Sequence, residues 1–124
     1  MINDRIYQYI FDEISLYLPK AWDRLVVYLE YGEASYSISF YIKASGRYIK
    51  CYDLENVSEE DLYLLFKRIN KEVSELRDGI NGEKWSNMTM VVEHTGKMHV
   101  DFDYIDLTEK AYQYSKDWKK KYLV

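Results

Sequence analysis

The stretch His99–Leu107, HVDFDYIDL, places a histidine and three aspartates (Asp101, Asp103, Asp106) within eight positions. Together with His94 they are of the types that bind a metal or move protons. The stretch alternates, however, and alternation reads as a strand. Along a strand His99, Asp101 and Asp103 are about 7 Å apart at each two-residue step. Zinc ligands must converge to ~2.0–2.3 Å from one ion. His94 falls in a turn, and no further ligand is evident, so a metal site is disfavoured. A carboxylate pair such as Asp101 and Asp103 has the chemistry for glycosidase work, but nothing in the sequence supplies a pocket.

Nucleophilic chemistry has equally little to stand on. Cys51 is the single cysteine; it alternates onto the apolar side of its strand, the pattern of a small buried hydrophobe rather than a thiolate. With one cysteine an internal disulfide and a cysteine-based metal knuckle are both excluded. Ser37, Ser39 and Ser86 lack the glycines of a nucleophile elbow. The glycines at 32, 46, 79, 82 and 96 match neither a phosphate-binding loop nor a dinucleotide fingerprint. The expectation is a chain that is not an enzyme and needs no cofactor.

The elements that position these residues follow from periodicity. Residues 2–18 carry Ile6, Ile10, Ile14 and Leu18 at helical spacing, with Asn3 or Asp4 as cap and Pro19 as stop. RLVVYLEY and YSISFYIK alternate as two strands across GEAS, and ASGR turns into a third, YIKCYDL. Ser58 followed by Glu59, Glu60 and Asp61 is a helix start, and Leu62, Leu65, Phe66, Ile69, Val73 and Leu76 form its apolar stripe. A three-residue loop, His94-Thr95-Gly96, joins two more strands and pairs Glu93 with Lys97. That register sets Met88, Met90 and Val92 beside Phe102, Val100 and Met98, and Asn87, Thr89 and Val91 beside Asp103, Asp101 and His99. Thr108 is placed to cap a last helix with Ala111, Tyr114 or Ser115, Trp118 and Tyr122 facing inward, and Asp106 is placed to assist that cap. The fold class is α+β in the order α-β-β-β-α-β-β-α, a single domain over residues 1–124. Its sheet is mostly antiparallel, with the helices packed on one face.

Charge and aromatic content bear on partners. Net charge is −4; residues 1–107 contribute −7 and residues 108–124 contribute +3. An acidic body disfavours nucleic acid binding and suits a basic protein partner. There are 14 tyrosines, and strand alternation gathers Tyr28, Tyr41, Tyr48 and Tyr52 with Glu30, Asp101 and Asp103 on the face away from the apolar stripe. Either that face is open and binds a partner, or the last helix covers it. Charges interrupt every apolar run, and the N-terminal residues lack the pattern of a secretory leader, so a cytoplasmic, non-membrane chain is expected.

One resemblance adds to these observations. LPKAWDRLVVYLEY, the strand SISFYIK, a helix ending shortly before Trp85, and VDFDYID followed by Trp118 and Tyr122 occur in an order and spacing that resembles the YezG-like immunity protein family, which includes EsaG-type antitoxins of type VII secretion toxins. The likeness spans nearly the whole chain, departing in a shorter, less glycine-rich hairpin region. It implies a cytoplasmic antitoxin that binds a cognate secreted toxin, typically its nuclease domain, by occlusion. No interface residue is carried over from the family. On the residues' own chemistry the candidate toxin-binding set is Asp101, Asp103, Glu30, Glu93 and His99 with Tyr28, Tyr41, Tyr48 and Tyr52. The competing readings are a small metal-dependent hydrolase built on His99 and the aspartates, and a self-associating regulatory module.

Overall fold

The computed structural model describes residues 4–124. Helix α1 (Asp4–Ser15) is followed by strands β1 (Arg24–Tyr31), β2 (Tyr36–Ala44) and β3 (Arg47–Lys50), then helix α2 (Glu59–Asp78). Strands β4 (Asn87–Glu93) and β5 (Met98–Asp103) and helix α3 (Ala111–Tyr122) complete the chain. The α-β-β-β-α-β-β-α order expected from periodicity is the order observed. Five strands form one antiparallel sheet, β3-β2-β1-β4-β5, with β1 at its centre.

Helix α1 presents Ile6, Ile10 and Ile14 to the core. The expected extension to Leu18 stops at Ser15. Its hydroxyl turns back on the Asp12 carbonyl, 2.7 Å away, and the chain tightens through Tyr17 N–H to the Ile14 carbonyl at 2.9 Å. Pro19 drives the residue before it towards extended backbone, so Leu18 cannot continue the helix. The expected start at Ile2 and the Asn3 cap lie outside the described residues.

Helix α2 begins in a capping box. The Ser58 hydroxyl accepts from Asp61 N–H at 3.0 Å, while the Asp61 carboxylate accepts from Ser58 N–H at 3.1 Å. Leu62, Leu65, Phe66, Ile69 and Val73 are buried against α1 and the sheet face that carries Leu25, Val27, Leu29, Ile38, Phe40, Ile42, Met88, Met90 and Val92. The two helices run antiparallel, tied by Arg68 to Glu13 at 2.6 Å.

The turns set the registers. Ser45 (φ 53°) and Gly46 (φ 77°) are both left-handed, as a two-residue hairpin loop requires. Gly96 (φ 97°) closes the His94-Thr95-Gly96 loop, with Glu93 N–H on the Lys97 carbonyl at 2.8 Å. The β4–β5 pairing then matches the expected one residue for residue: Met88 opposite Phe102, Met90 opposite Val100, Thr89 opposite Asp101.

Two further features of the sheet and its covering differ from the sequence expectation. β3 ends at Lys50 and Cys51–Asp53 form a 3-10 turn, which keeps Cys51 buried but takes Tyr52 off the strand face. And α3 does not join α1 and α2. It packs on the opposite face, where Trp118 and Tyr122 are buried with Val26 and Val91 against Tyr28, Tyr41, Tyr48 and Tyr114. Both faces of the sheet carry apolar residues at its centre, and the aromatic stripe of α3 serves the face that α1 and α2 leave uncovered.

Candidate functional site

The registers lay the candidate residues out in rows across the sheet. Ser39, Tyr28, Thr89 and Asp101 make one row; Ser37, Glu30, Asn87 and Asp103 make the next. On the other side run Lys50, Tyr41, Val26, Val91 and His99. Alternation puts all of them on the face that α3 crosses.

Helix α3 attaches through one stripe at positions 114, 118 and 122, spaced four apart so that they share a face. Each donates to the sheet. Tyr114 Oη bonds Asp103 Oδ2 at 2.5 Å, Trp118 Nε1 bonds Thr89 Oγ1 at 2.9 Å, and Tyr122 Oη bonds Asp101 Oδ2 at 2.6 Å. Trp118 also packs its ring on Tyr28, Tyr41 and Tyr122, with centroids 5.1, 5.6 and 5.5 Å away. The C-terminal end is held by Tyr48 Oη and Lys43 Nζ, which donate to the Val124 carbonyl at 3.1 and 3.0 Å.

Asp101 and Asp103 are therefore anchor points for α3. They are not buried: the Asp101 side chain keeps 35% of its surface, and Asp103 is exposed. Burial acts to raise the Asp101 carboxyl, but the Tyr122 hydroxyl and His99, whose Nε2 lies 2.8 Å from Oδ1, outweigh it and hold the group below the usual carboxylate range. The phenols move the other way. Burial first, and then the carboxylate each one faces, push Tyr28, Tyr114 and Tyr122 far above the ordinary tyrosine value, so all three stay protonated donors.

The other candidates are distributed around this centre. Glu30 Oε1 accepts from Tyr28 Oη at 2.6 Å, and the same hydroxyl accepts from Asn87 Nδ2 at 2.5 Å. Glu93 lies at the far end of its strand, 3.7 Å from Arg24. Tyr41 and Tyr52 are bridged by Lys50, whose Nζ lies 5.8 and 5.9 Å from the two ring centroids. The structure thus brings together Asp101, Asp103, His99, Glu30, Tyr28 and Tyr41 under and beside α3, and leaves Glu93 and Tyr52 at the periphery. A cleft of about 180 Å³ remains between α3 and the sheet, lined by Tyr28, Glu30, Tyr41, Tyr114 and Trp118 among others.

Asp106 and Thr108 act differently from the expected cap. Helix α3 starts at Ala111 with Lys110 at the cap position and no side-chain cap. The Thr108 N–H instead donates to Asp106 Oδ1 at 3.0 Å, a local turn that uses up the donor and acceptor before the helix begins. That bond, with the Thr108 hydroxyl, lowers the Asp106 carboxyl.

Chemically, the face offers hydrogen-bonded carboxylates, phenols and aromatic area. Burial pushes the Cys51 thiol up, away from the thiolate form a nucleophile needs. Among the described residues no group of three His, Cys, Asp or Glu side chains is arranged to hold a metal ion. None of the described helices is long and apolar enough to cross a membrane.

The anchoring stripe of α3 was only half visible in the sequence. Tyr114 or Ser115, Trp118 and Tyr122 read as inward-facing, as did Ala111, which is exposed; their hydrogen-bond partners were not legible. The recurrence of a donor-bearing aromatic at 114, 118 and 122, four residues apart and opposite two outward aspartates, is the signal that was there to be used.

Comparison with known proteins completes the description. The family model described as "Immunity protein YezG-like" matches residues 3–123. The chain belongs to the YezG-like immunity protein family.

Two similar relatives carry the same description at the level of single proteins. "Immunity protein YezG" of Bacillus spizizenii (strain ATCC 23059 / NRRL B-14472 / W23) is 27% identical over 110 residues, covering 82% of this chain and 68% of that protein. "Immunity protein YezG" of Bacillus subtilis (strain 168) is 24% identical over 110 residues, covering 82% and 73%. Family membership supports an immunity role and a toxin as partner.

Proposed function

We propose that this chain neutralises a toxin encoded beside it by binding the toxin's catalytic domain and occluding its active site, with no chemistry of its own. The observation that carries this reading is the match of the immunity family model to residues 3–123. The toxin domain is a nuclease, delivered by type VII secretion, and the complex forms in the cytoplasm. Charge supports the nuclease: residues 1–107 carry a net −7, and an enzyme that grips phosphates presents Lys and Arg to its substrate. Carboxylates in place of phosphates would occupy the same groups and speed the encounter.

Asp101, Asp103, Glu30 and His99 form the acidic face offered to the toxin, with Tyr28, Tyr41 and Tyr48 beside it and Glu93 and Tyr52 at its rim. An ionised carboxylate accepts up to about four hydrogen bonds, so Asp101 and Asp103 can hold α3 and still accept from a partner. The test is co-expression of the neighbouring toxin domain in a tester cell with and without this chain, following growth and chromosomal DNA integrity. Rescue with co-purification of the two proteins is the expected result. Unrescued killing, with both proteins well expressed and the toxin active, would sink the pairing.

A further inference from the structure

Helix α3 occupies much of the tyrosine face, which raises the question of where apolar anchoring of a partner could occur. On the other side of the sheet, where the chain leaves α1 and where β3 runs into α2, lies a groove of about 550 Å³. Its apolar lining includes Leu16, Leu18, Pro19, Ile49, Leu54 and Val57. Leu16 is 74% exposed, the most exposed large aliphatic side chain in the described residues.

The charged side chains that line this groove are acidic, and Arg68 meets it only at the Tyr17 wall, where it also pairs with Glu13. Asp53 and Glu55 are exposed in its lining, and none of the ten lining residues is a lysine or arginine. Glu59 and Glu60, exposed in the first turn of α2, continue the acidic rim. An exposed leucine in an apolar groove has no role in holding this fold together, since the core beneath is closed without it. Exposed apolar area of this kind, rimmed by charge, marks a contact surface.

We propose that this groove is the apolar anchor of the toxin interface. Its occupant is a large apolar side chain of the toxin's catalytic domain, flanked by Lys or Arg residues that meet Asp53 and Glu55. This rests on the reading that the chain binds a toxin, and adds to the acidic face around Asp101 and Asp103 a second contact, on the opposite face of the sheet and reached around its β3 edge. The anchor supplies the slow dissociation, because a leucine-lined pocket desolvates its occupant. The acids supply encounter rate and discriminate against acidic or neutral partners.

The experiment measures binding of the toxin domain encoded beside this chain's gene, in a catalytically dead form, to the full-length wild type and two variants. Leu16→Glu places a charge in the groove at a position whose exposure spares the fold. Its dissociation constant should rise about tenfold or more, chiefly through faster dissociation, with an unfolding midpoint within about 2 °C of wild type. Asp53→Asn with Glu55→Gln should slow association several-fold at low salt, the gap closing as ionic strength rises. Unchanged affinity in Leu16→Glu, with the wild type binding tightly, overturns the groove and leaves the immunity reading standing. A wild type that binds no toxin domain removes that reading and the groove with it. Light scattering guards the remaining case. Conversion of a wild-type dimer to a monomer by Leu16→Glu would assign the groove to a second copy and overturn the proposal.

Discussion

Replacing Tyr122 by Phe removes one atom from the α3 anchor and isolates what that anchor contributes. The lost bond runs from Tyr122 Oη to Asp101 Oδ2 at 2.6 Å, short enough to be charge-assisted. Such bonds contribute about 1.5–3 kcal/mol when well shielded. Asp101 keeps 35% of its side-chain surface and His99 as a second partner, so water and His99 recover part of the loss and screen the rest. The expected cost at pH 7 is about 1 kcal/mol, read from urea unfolding. Its pH dependence carries a sign. The Asp101 carboxyl is lowered in the folded chain, so its contribution is fully present above the unfolded carboxylate value and fades as pH falls through the lowered folded value. Tyr122→Phe relaxes that lowering, and the gap between variant and wild type should therefore narrow in acid. A cost that is absent at pH 7, or that stays constant down to pH values at which Asp101 is protonated, would refute the carboxylate anchor.

Other substitutions follow from the same contacts. Trp118→Ala removes an indole packed on three rings and takes one hydrogen-bond partner from the buried Thr89 hydroxyl; a loss of about 3–5 kcal/mol is expected by chemical denaturation, with α1 and α2 still helical by circular dichroism if α3 detaches first. Ser58→Ala opens the capping box of α2 and should lower stability by about 1 kcal/mol, while Ser58→Asp, which retains a cap acceptor, should lose much less. Glu30→Gln leaves an acceptor for Tyr28 Oη but removes a charge from the acidic face. In stopped-flow association with the toxin domain it should slow binding at low salt with little change in dissociation.

Local chemistry made most of the fold legible from sequence. The His94-Thr95-Gly96 loop determined the β4–β5 register because one residue of slippage would have scattered Met88, Met90 and Val92 across both faces. Ser58 and the three acids behind it announced α2, though not that Asp61 closes a reciprocal cap. What escaped was governed by distant partners. The stripe of α3 is built from tyrosine and tryptophan, which suit either a dry core or a polar sheet face, and the connection from Tyr104 to Lys110 has no periodicity to say on which side it leads. With α3 misplaced, the outward direction of Asp101 and Asp103 could be read but the groups they meet could not. Tyr52 failed for a nearer reason: the strand gives way to a turn at Cys51–Asp53, and alternation ends where the strand does.

The most direct test of the account is a titration of the purified toxin domain with this chain, following cleavage of DNA. Stoichiometric binding predicts activity that falls linearly and ends near one chain per toxin, with the toxin recovered intact and active after the complex is dissociated. Activity that is undiminished at excess, or that disappears at a small fraction of one equivalent as a turning-over enzyme would cause, would contradict it.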